Sequence, residues 1–288
     1  IVKTNRLSLK DGRKYYKQIQ FRHTFTEDQI KHFDKVINKI TDRTNLNDIL
    51  KLIGNSSDLG SLYNFNRIAD QATKEIPFSM LFAANSTISR EGNIIPKSQD
   101  GKFVWQMMLY ELNLGFLLNI FLKRLFNIII NDHCLNEFFL LKYFRAKNLI
   151  DGDNLIFLEV AFQKFFVGDY ITSLHLLIPQ FENVFLKISE KLGLDIVSLG
   201  QSEESIITKT LSTNLLYSDE FMSKWGLDYC RLVGFILFEP LGLKLRHKVA
   251  HGEISVNECN YGNNILIIYL FLIMLIKVTT KRRRIKKA

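Results

Sequence analysis

Apolar residues recur at helical spacing through most of this chain, and Ile30, Phe33, Ile37 and Ile40 make the first clear stripe. That repeat marks one buried face of an amphipathic helix. Thr26 and Gln29 stand three apart just upstream, the spacing of a capping box, and predict where the helix starts. A second helix is predicted over residues 47–52, stopping at Gly54. A third carries Leu62, Phe65, Ile68, Ala69 and Ala72 on one face until Pro77 interrupts it. Gly92, Asn93, Pro96, Asp100 and Gly101 then crowd residues 86–102, which read as a turn-rich connection with a small hairpin around Glu91-Gly92-Asn93.

Residues 103–130 are apolar on most faces, with Lys123 and Arg124 the only basic interruption. They predict one long helix or two kinked ones, buried on several sides. Asn131-Asp132 is placed to cap a helix running to about residue 147, and Asp151-Gly152-Asp153-Asn154 reads as a turn. A helix over 155–167 then closes at Gly168, and Asp169 caps a longer one over 170–192 that closes at Gly193. Pro179 lies inside it and predicts a kink, because it lacks the donor a helix interior needs. Residues 193–213 are polar and loop-like; Ser218, Asp219 and Glu220 start a helix to about residue 238, which Pro240-Leu241-Gly242 breaks. A short helix over 243–251 and an apolar one over 265–278 complete the chain. With strand signals sparse and no internal repeat, the fold class is all-α. The organisation expected is a mostly helical N-terminal region (1–150), a helical domain (151–280) and a basic tail (281–288).

Composition refines this picture in three places. The formal charge is +9, but seven basic residues between Lys277 and Lys287 account for most of it, leaving the rest near +2. The basic character therefore belongs to the C-terminal end, where it suits RNA, an acidic partner, a lipid surface or plain solvation. Cys134, Cys230 and Cys259 are far apart and odd in number, so neither a disulfide framework nor a zinc site is expected, and a reducing cytoplasm is. The continuous apolar run from Ile265 ends at Lys277, short of the roughly 20 residues a membrane span needs, and a buried core helix is expected instead. The chain opens on Ile1 rather than Met, so a missing leader sequence carries no meaning here.

Reactive side chains are dense in one place only. Lys244, Arg246, His247, Lys248 and His251 fall within eight residues and are followed by Gly252. Cleaving RNA without a metal needs a group to take a proton from the ribose hydroxyl, one to return a proton to the leaving oxygen, and a cation for the charge on phosphorus. Imidazole titrates near neutrality and guanidinium grips phosphate through paired donors, so this cluster holds the right types. The same residues also suit a helix C-terminus, where cations meet the negative dipole end and glycine makes the left-handed turn.

The segment 245–252, LRHKVAHG, resembles the RNxxAHG signature of domain-of-unknown-function family 4209, within the HEPN superfamily (higher eukaryotes and prokaryotes nucleotide-binding). A second match lies upstream: Gly168-Asp169-Tyr170 and the helix through Leu174-His175-Leu176-Leu177-Ile178-Pro179-Gln180-Phe181-Glu182 are similar to the family's "GDY…LLIPQ…E" helix in order and spacing. The resemblance covers residues 155–278 and implies a HEPN-like helical bundle. It matches Arg246 and His251 to the superfamily's R-x4-6-H pair. His247 stands where the family usually has Asn, and Glu182 matches an acidic position suited to orienting a catalytic side chain. The implied activity is a metal-independent endoribonuclease, toxin-like or defence-related, leaving a 2′,3′-cyclic phosphate and a 5′ hydroxyl. The implied roles are acid/base for His251, phosphate clamp for Arg246 and auxiliary for His247, with Lys244 and Lys248 as substrate contacts. No metal or cofactor is expected.

Residues five apart on a regular helix point about 140° from each other. Arg246 and His251 therefore converge on one phosphate only if the helix ends between them, or if two copies share a site, as HEPN ribonucleases do. A homodimer acting on RNA is the expectation, with an antitoxin or regulatory partner left open. Two other readings remain: a non-catalytic module binding RNA or nucleotide through the same cations, and a helical protein in which the segment only ends a helix. His175 reads as a satisfied core histidine, and the tyrosines and phenylalanines fall at core spacing rather than as a stacking platform. No P-loop, GxGxxG, HExxH or GxSxG is present, which removes most nucleotide-hydrolase, dehydrogenase and zinc-protease readings.

Overall fold

A computed structural model of the chain describes residues 26–75, 87–88, 94–95, 101–199, 206–208 and 211–285. By contact the chain divides into two compact units, Ile1–Lys35 and Val36–Ala288. In the first, Thr26 and Gln29 form the expected capping box: the Thr26 amide donates to Gln29 Oε1 at 3.0 Å and the Gln29 amide to Thr26 Oγ1 at 3.3 Å. This starts α1 (Glu27–Thr41).

The fold is all-α, as the pattern predicts. After α1 come α2 (Leu46–Asn55), α3 (Ser57–Ser61) and α4 (Phe65–Glu75). α2 ends at Asn55, one residue past the expected stop at Gly54. The glycine is there for proximity: a Cβ at Gly54 would lie 2.9 Å from the backbone of Leu272. Two short antiparallel pairs interrupt the helices, Thr87–Ile88 with Ile94–Ile95 and Val197–Leu199 with Ile206–Thr208. The first brackets the expected hairpin; its turn, Glu91-Gly92-Asn93, and Pro77 lie outside the described residues.

The long apolar stretch is one helical run, α5 (Gly101–Phe116), a π segment (Leu117–Leu122) and α6 (Lys123–Asn131). Asn136, not Asn131-Asp132, caps the next helix, α7 (Glu137–Arg145), accepting from the Phe139 amide at 2.9 Å. Then follow α8 (Gly152–Phe166), α9 (Tyr170–Lys191), α10 (Thr213–Leu216), α11 (Asp219–Trp225), α12 (Leu227–Leu237), α13 (Leu245–Ala250) and α14 (Tyr261–Ile285). The turn expected at residues 151–154 is only the cap of α8, which begins at Gly152. The helix expected from Ser218 to 238 is two, since Gly226 adopts φ +86° and divides it. α9 runs through Pro179 as one helix. Residues 281–285 of the basic end continue α14, and 286–288 lie outside the described residues.

α14 is the axis of the larger unit. Each residue from Ile265 to Leu275 is at most 1% exposed, as expected of a helix apolar on every face. It packs against α2, α6, the π segment and α9; α8 covers α9, and α12 joins α4 to α11 and α13. Among the described residues, two stretches could cross a membrane by length and composition alone, Trp105–Asn131 and Tyr261–Thr279; the second is 83% enclosed by the protein and the first 39%. The three cysteines are free thiols; Cys230 is buried, and that burial pushes its pKa up to about 12.

Candidate functional site

The dense basic segment becomes α13, a six-residue helix seated on α9 and α12. Its placement begins where α12 ends. The Gly242 amide donates to Glu239 O and the Leu243 amide to Phe235 O, both at 2.9 Å, so the chain folds back on α12. A Cβ at Gly242 would fall onto the Phe235 carbonyl, which explains the glycine. Lys244 then takes a left-handed conformation (φ +54°, ψ 31°), and Leu245, 1% exposed, pins the first turn into the core. The helix thus starts two residues later than the expected 243.

At the other end the Gly252 amide donates to Val249 O at 3.3 Å and the Glu253 amide to Lys248 O at 2.8 Å. With Gly252 at φ +66° this is a Schellman motif. The capping role of Gly252 is therefore physically real. Nothing lies within 4 Å of a Cβ placed there, so only backbone strain opposes a side chain. Gly252→Ala is expected to cost about 1–2 kcal/mol, the penalty of a left-handed alanine, whereas Gly252→Asn costs less, since asparagine tolerates that conformation. Thermal unfolding of the two variants checks this, and equal losses would refute the backbone explanation.

Arg246 reaches across to α9. Its Nε donates to Glu182 Oε2 at 2.9 Å and its Nη2 to Glu182 Oε1 at 3.5 Å, a side-on two-point pair. The side chains are 30% and 15% exposed, so the pair is partly shielded from solvent and its geometry is fixed by two donors rather than one. The rings of His247 and His251, one turn apart, are in contact, with centroids 4.3 Å apart and planes tilted by 48°. Among the described residues no hydrogen bond or ion pair joins Arg246 to His251. The segment is thus resolved into two neighbouring parts, a guanidinium held by Glu182 and an imidazole pair at the helix end.

His247 lies below the usual imidazole range. Burial is the largest cause, then the charge of Lys244 and the neighbouring His251 ring, with Glu253 pulling the other way from 3.9 Å. A pKa below that of the unfolded chain means the unfolded chain takes up the proton first as pH falls. Acidification through about pH 6.5 therefore works against the fold at this residue, and the effect vanishes above that value. In a histidine NMR titration, Lys244→Gln is expected to move the His247 midpoint upward and Glu253→Gln to move it downward. Opposite movements would refute the assignment of these charges to His247.

Lys248, expected among the substrate contacts, is turned inward. It is 5% exposed and its Nζ donates to Glu258 Oε1 at 2.6 Å. Glu258 also accepts from the Ser255 amide at 3.0 Å and the Ser255 hydroxyl at 2.9 Å. Burial raises the Glu258 pKa, but the Lys248 and Ser255 donors outweigh it and hold the carboxyl below its ordinary value. This pair ties the loop 251–260 to α13. Glu253 and Glu258 carry no sequence signal, because a loop has no period to reveal which residue folds back on which. His175 is half-buried rather than core, its Nδ1–H donating to Ile171 O at 2.8 Å.

The same loop leads to an aromatic corner. Phe165 and Tyr261 stack with centroids 5.6 Å apart and planes within 10°, and Tyr170 lies 5.7 Å from Tyr261. With Phe166, Asn127 and Ile130 they line an open pocket of about 420 Å³. Phe165 is buried, whereas Phe166, Tyr170 and Tyr261, which fall at core spacing in the sequence, are half-exposed at this opening. Four helices supply the walls, which is why helical spacing in the sequence could not show it. Among the described residues no group of three or more His, Cys, Asp or Glu side chains is arranged to hold a metal ion. No protein-family model, curated protein or solved structure matches this chain, so the residues at 168–182 and 245–252 alone carry the family resemblance.

Proposed function

We propose that this chain is an endoribonuclease of the HEPN type, cleaving RNA without a metal at a site built on α13. The observation that supports it most is the Arg246–Glu182 pair. The two sequence matches, far apart in the chain, meet there at a 2.9 Å ion pair, with the His247 and His251 rings on the same helix. Arg246 keeps N–H groups beyond the two that Glu182 engages, and these are the phosphate clamp. His251 is exposed at the helix end and is the acid/base; His247, held toward its neutral form, is the auxiliary. Lys244 lies at the start of the same helix and adds positive charge.

The reading includes a homodimer in the cytoplasm. Within one copy Arg246 and His251 belong to different clusters, and a two-fold axis brings one copy's guanidinium to the other's imidazole. Exposed apolar side chains on α8, Ile156 (62%) and Phe157 (49%), give a second copy a surface to cover. A toxin-like or defence role, with a neutralising or regulatory partner, belongs to the same proposal.

The test is incubation of wild-type protein with mixed RNA in EDTA, followed by end-group determination and sedimentation. Fragments with cyclic phosphate ends from a dimer are the expected result. Cleavage that EDTA abolishes would overturn the mechanism. One observation favours a non-catalytic RNA-binding module: among the described residues no side chain hydrogen-bonds either imidazole, Glu253 being 3.9 Å from His247. Salt-sensitive RNA binding with no product would select that reading.

A further inference from the structure

The aromatic corner and the motif helix are joined through one set of contacts. Lys248 on α13 holds Glu258, and the Glu258 carbonyl accepts from Asn263 Nδ2 at 2.7 Å. Asn260 Oδ1 accepts from the Asn263 amide at 3.0 Å and so fixes the start of α14, where Tyr261 projects. From the other side, Asn264, fully buried, donates through Nδ2 to the Tyr170 carbonyl at 3.1 Å and ties the start of α9 to α14. The rings around the pocket are therefore held by the same loop that leaves His251.

The polar groups at this corner match its rings. Tyr261 donates its hydroxyl to Asn127 Oδ1 at 2.8 Å, which orients the amide and leaves Asn127 Nδ2 as a donor at the exposed edge. Lys123, one turn before Asn127 on α6, lies beside Gly262, its Cε 3.0 Å from where a Cβ would stand, and its Nζ donates to Asn119 Oδ1 at 2.8 Å. The π segment explains why these two residues meet α14. It adds a residue to one turn, which rotates everything after it by about 100° relative to a continuous α-helix. Ring faces and an oriented amide, around a volume in the small-molecule range, are the elements that recognise an unstacked base.

We propose that this pocket, lined by Phe166, Tyr170, Tyr261 and Asn127, binds one unstacked nucleobase of a single-stranded RNA. The inference rests on the ribonuclease reading and names where the strand is gripped outside the α13 cluster. Tyr170 and Glu182 lie on one helix, twelve residues and so about 18 Å apart, which places the base a few nucleotides from the Arg246 phosphate site.

The experiment is saturation-transfer NMR of the full chain with each of the four ribonucleoside 5′-monophosphates, alongside cleavage of a single-stranded RNA oligonucleotide in EDTA. Wild type is expected to transfer magnetisation to base protons more than to ribose protons. Tyr170→Ala is expected to weaken mononucleotide binding by at least about fivefold. Asn127→Ala, on an exposed residue that supports no core packing, is expected to weaken it by about as much. No transfer in wild type, or unchanged affinity in Asn127→Ala, would overturn the pocket assignment. Transfer that both variants weaken, from a wild type that does not cleave, keeps the pocket and rejects the nuclease. Cleavage with unchanged mononucleotide binding in both does the reverse.

Discussion

His251→Ala is expected to lower RNA cleavage by about 10²- to 10⁴-fold, the usual contribution of a positioned proton-transfer group, without changing thermal stability. The stability half follows from the geometry. His251 is exposed, and the bond that closes α13 runs from its backbone amide to His247 O at 3.0 Å, which alanine retains. Exposed substitutions of this kind stay within about 0.5 kcal/mol. Arg246→Ala is a less clean test of the same proposal. It leaves the Glu182 carboxylate, only 15% exposed, without the cation that pairs with it, so lost activity and lost stability come together. Cleavage by His251→Ala at the wild-type rate would end the acid/base assignment whatever Arg246 does. A loss confined to wild-type-like, folded His251→Ala protein would locate the chemistry at the end of α13.

The largest effect on stability is expected from Trp225→Ala, about 3–5 kcal/mol. Trp225 is 1% exposed and packs on Phe185 with centroids 4.6 Å apart and on Tyr229 at 5.8 Å. Its Nε1 donates to Ser189 Oγ at 3.0 Å, and Ser189 in turn donates to Phe185 O at 2.7 Å. Removing the indole opens a cavity among fully buried rings and leaves a buried hydroxyl with one partner fewer. Trp225→Phe keeps most of the packing and loses only the hydrogen bond, so its cost is expected near 1–2 kcal/mol. At about 2–4 °C per kcal/mol for a chain of this size, Trp225→Ala should melt roughly 6–20 °C below wild type. A shift under 2 °C would contradict the packing described. The variant also reaches the site, because Phe185 follows Glu182 by one turn of α9, and a loosened α9 frees the carboxylate that holds Arg246.

The starts and stops written into single residues were legible from the chain. Thr26 with Gln29 opens α1, and Gly168 and Gly193 sit at φ +83° and +81° where helices were expected to close. The apolar run from Ile265 is the buried axis, because a helix with no polar face has nowhere else to go. The residue types for proton transfer and phosphate binding were legible too, since Arg246, His247 and His251 stand within one short segment. Their partnerships were not. A helix repeat reports which face is apolar but not what lies opposite. Only the packing of α13 on α9 puts Glu182 on Arg246, and only the fold-back of the loop puts Glu258 on Lys248. Gly54 stands one residue before the end of α2, but its second use, close approach of α2 to α14, depends on a helix more than two hundred residues away. The aromatic pocket belongs to the same class: its rings were counted as core one helix at a time, and the opening between them exists only where α6, α8, α9 and α14 meet.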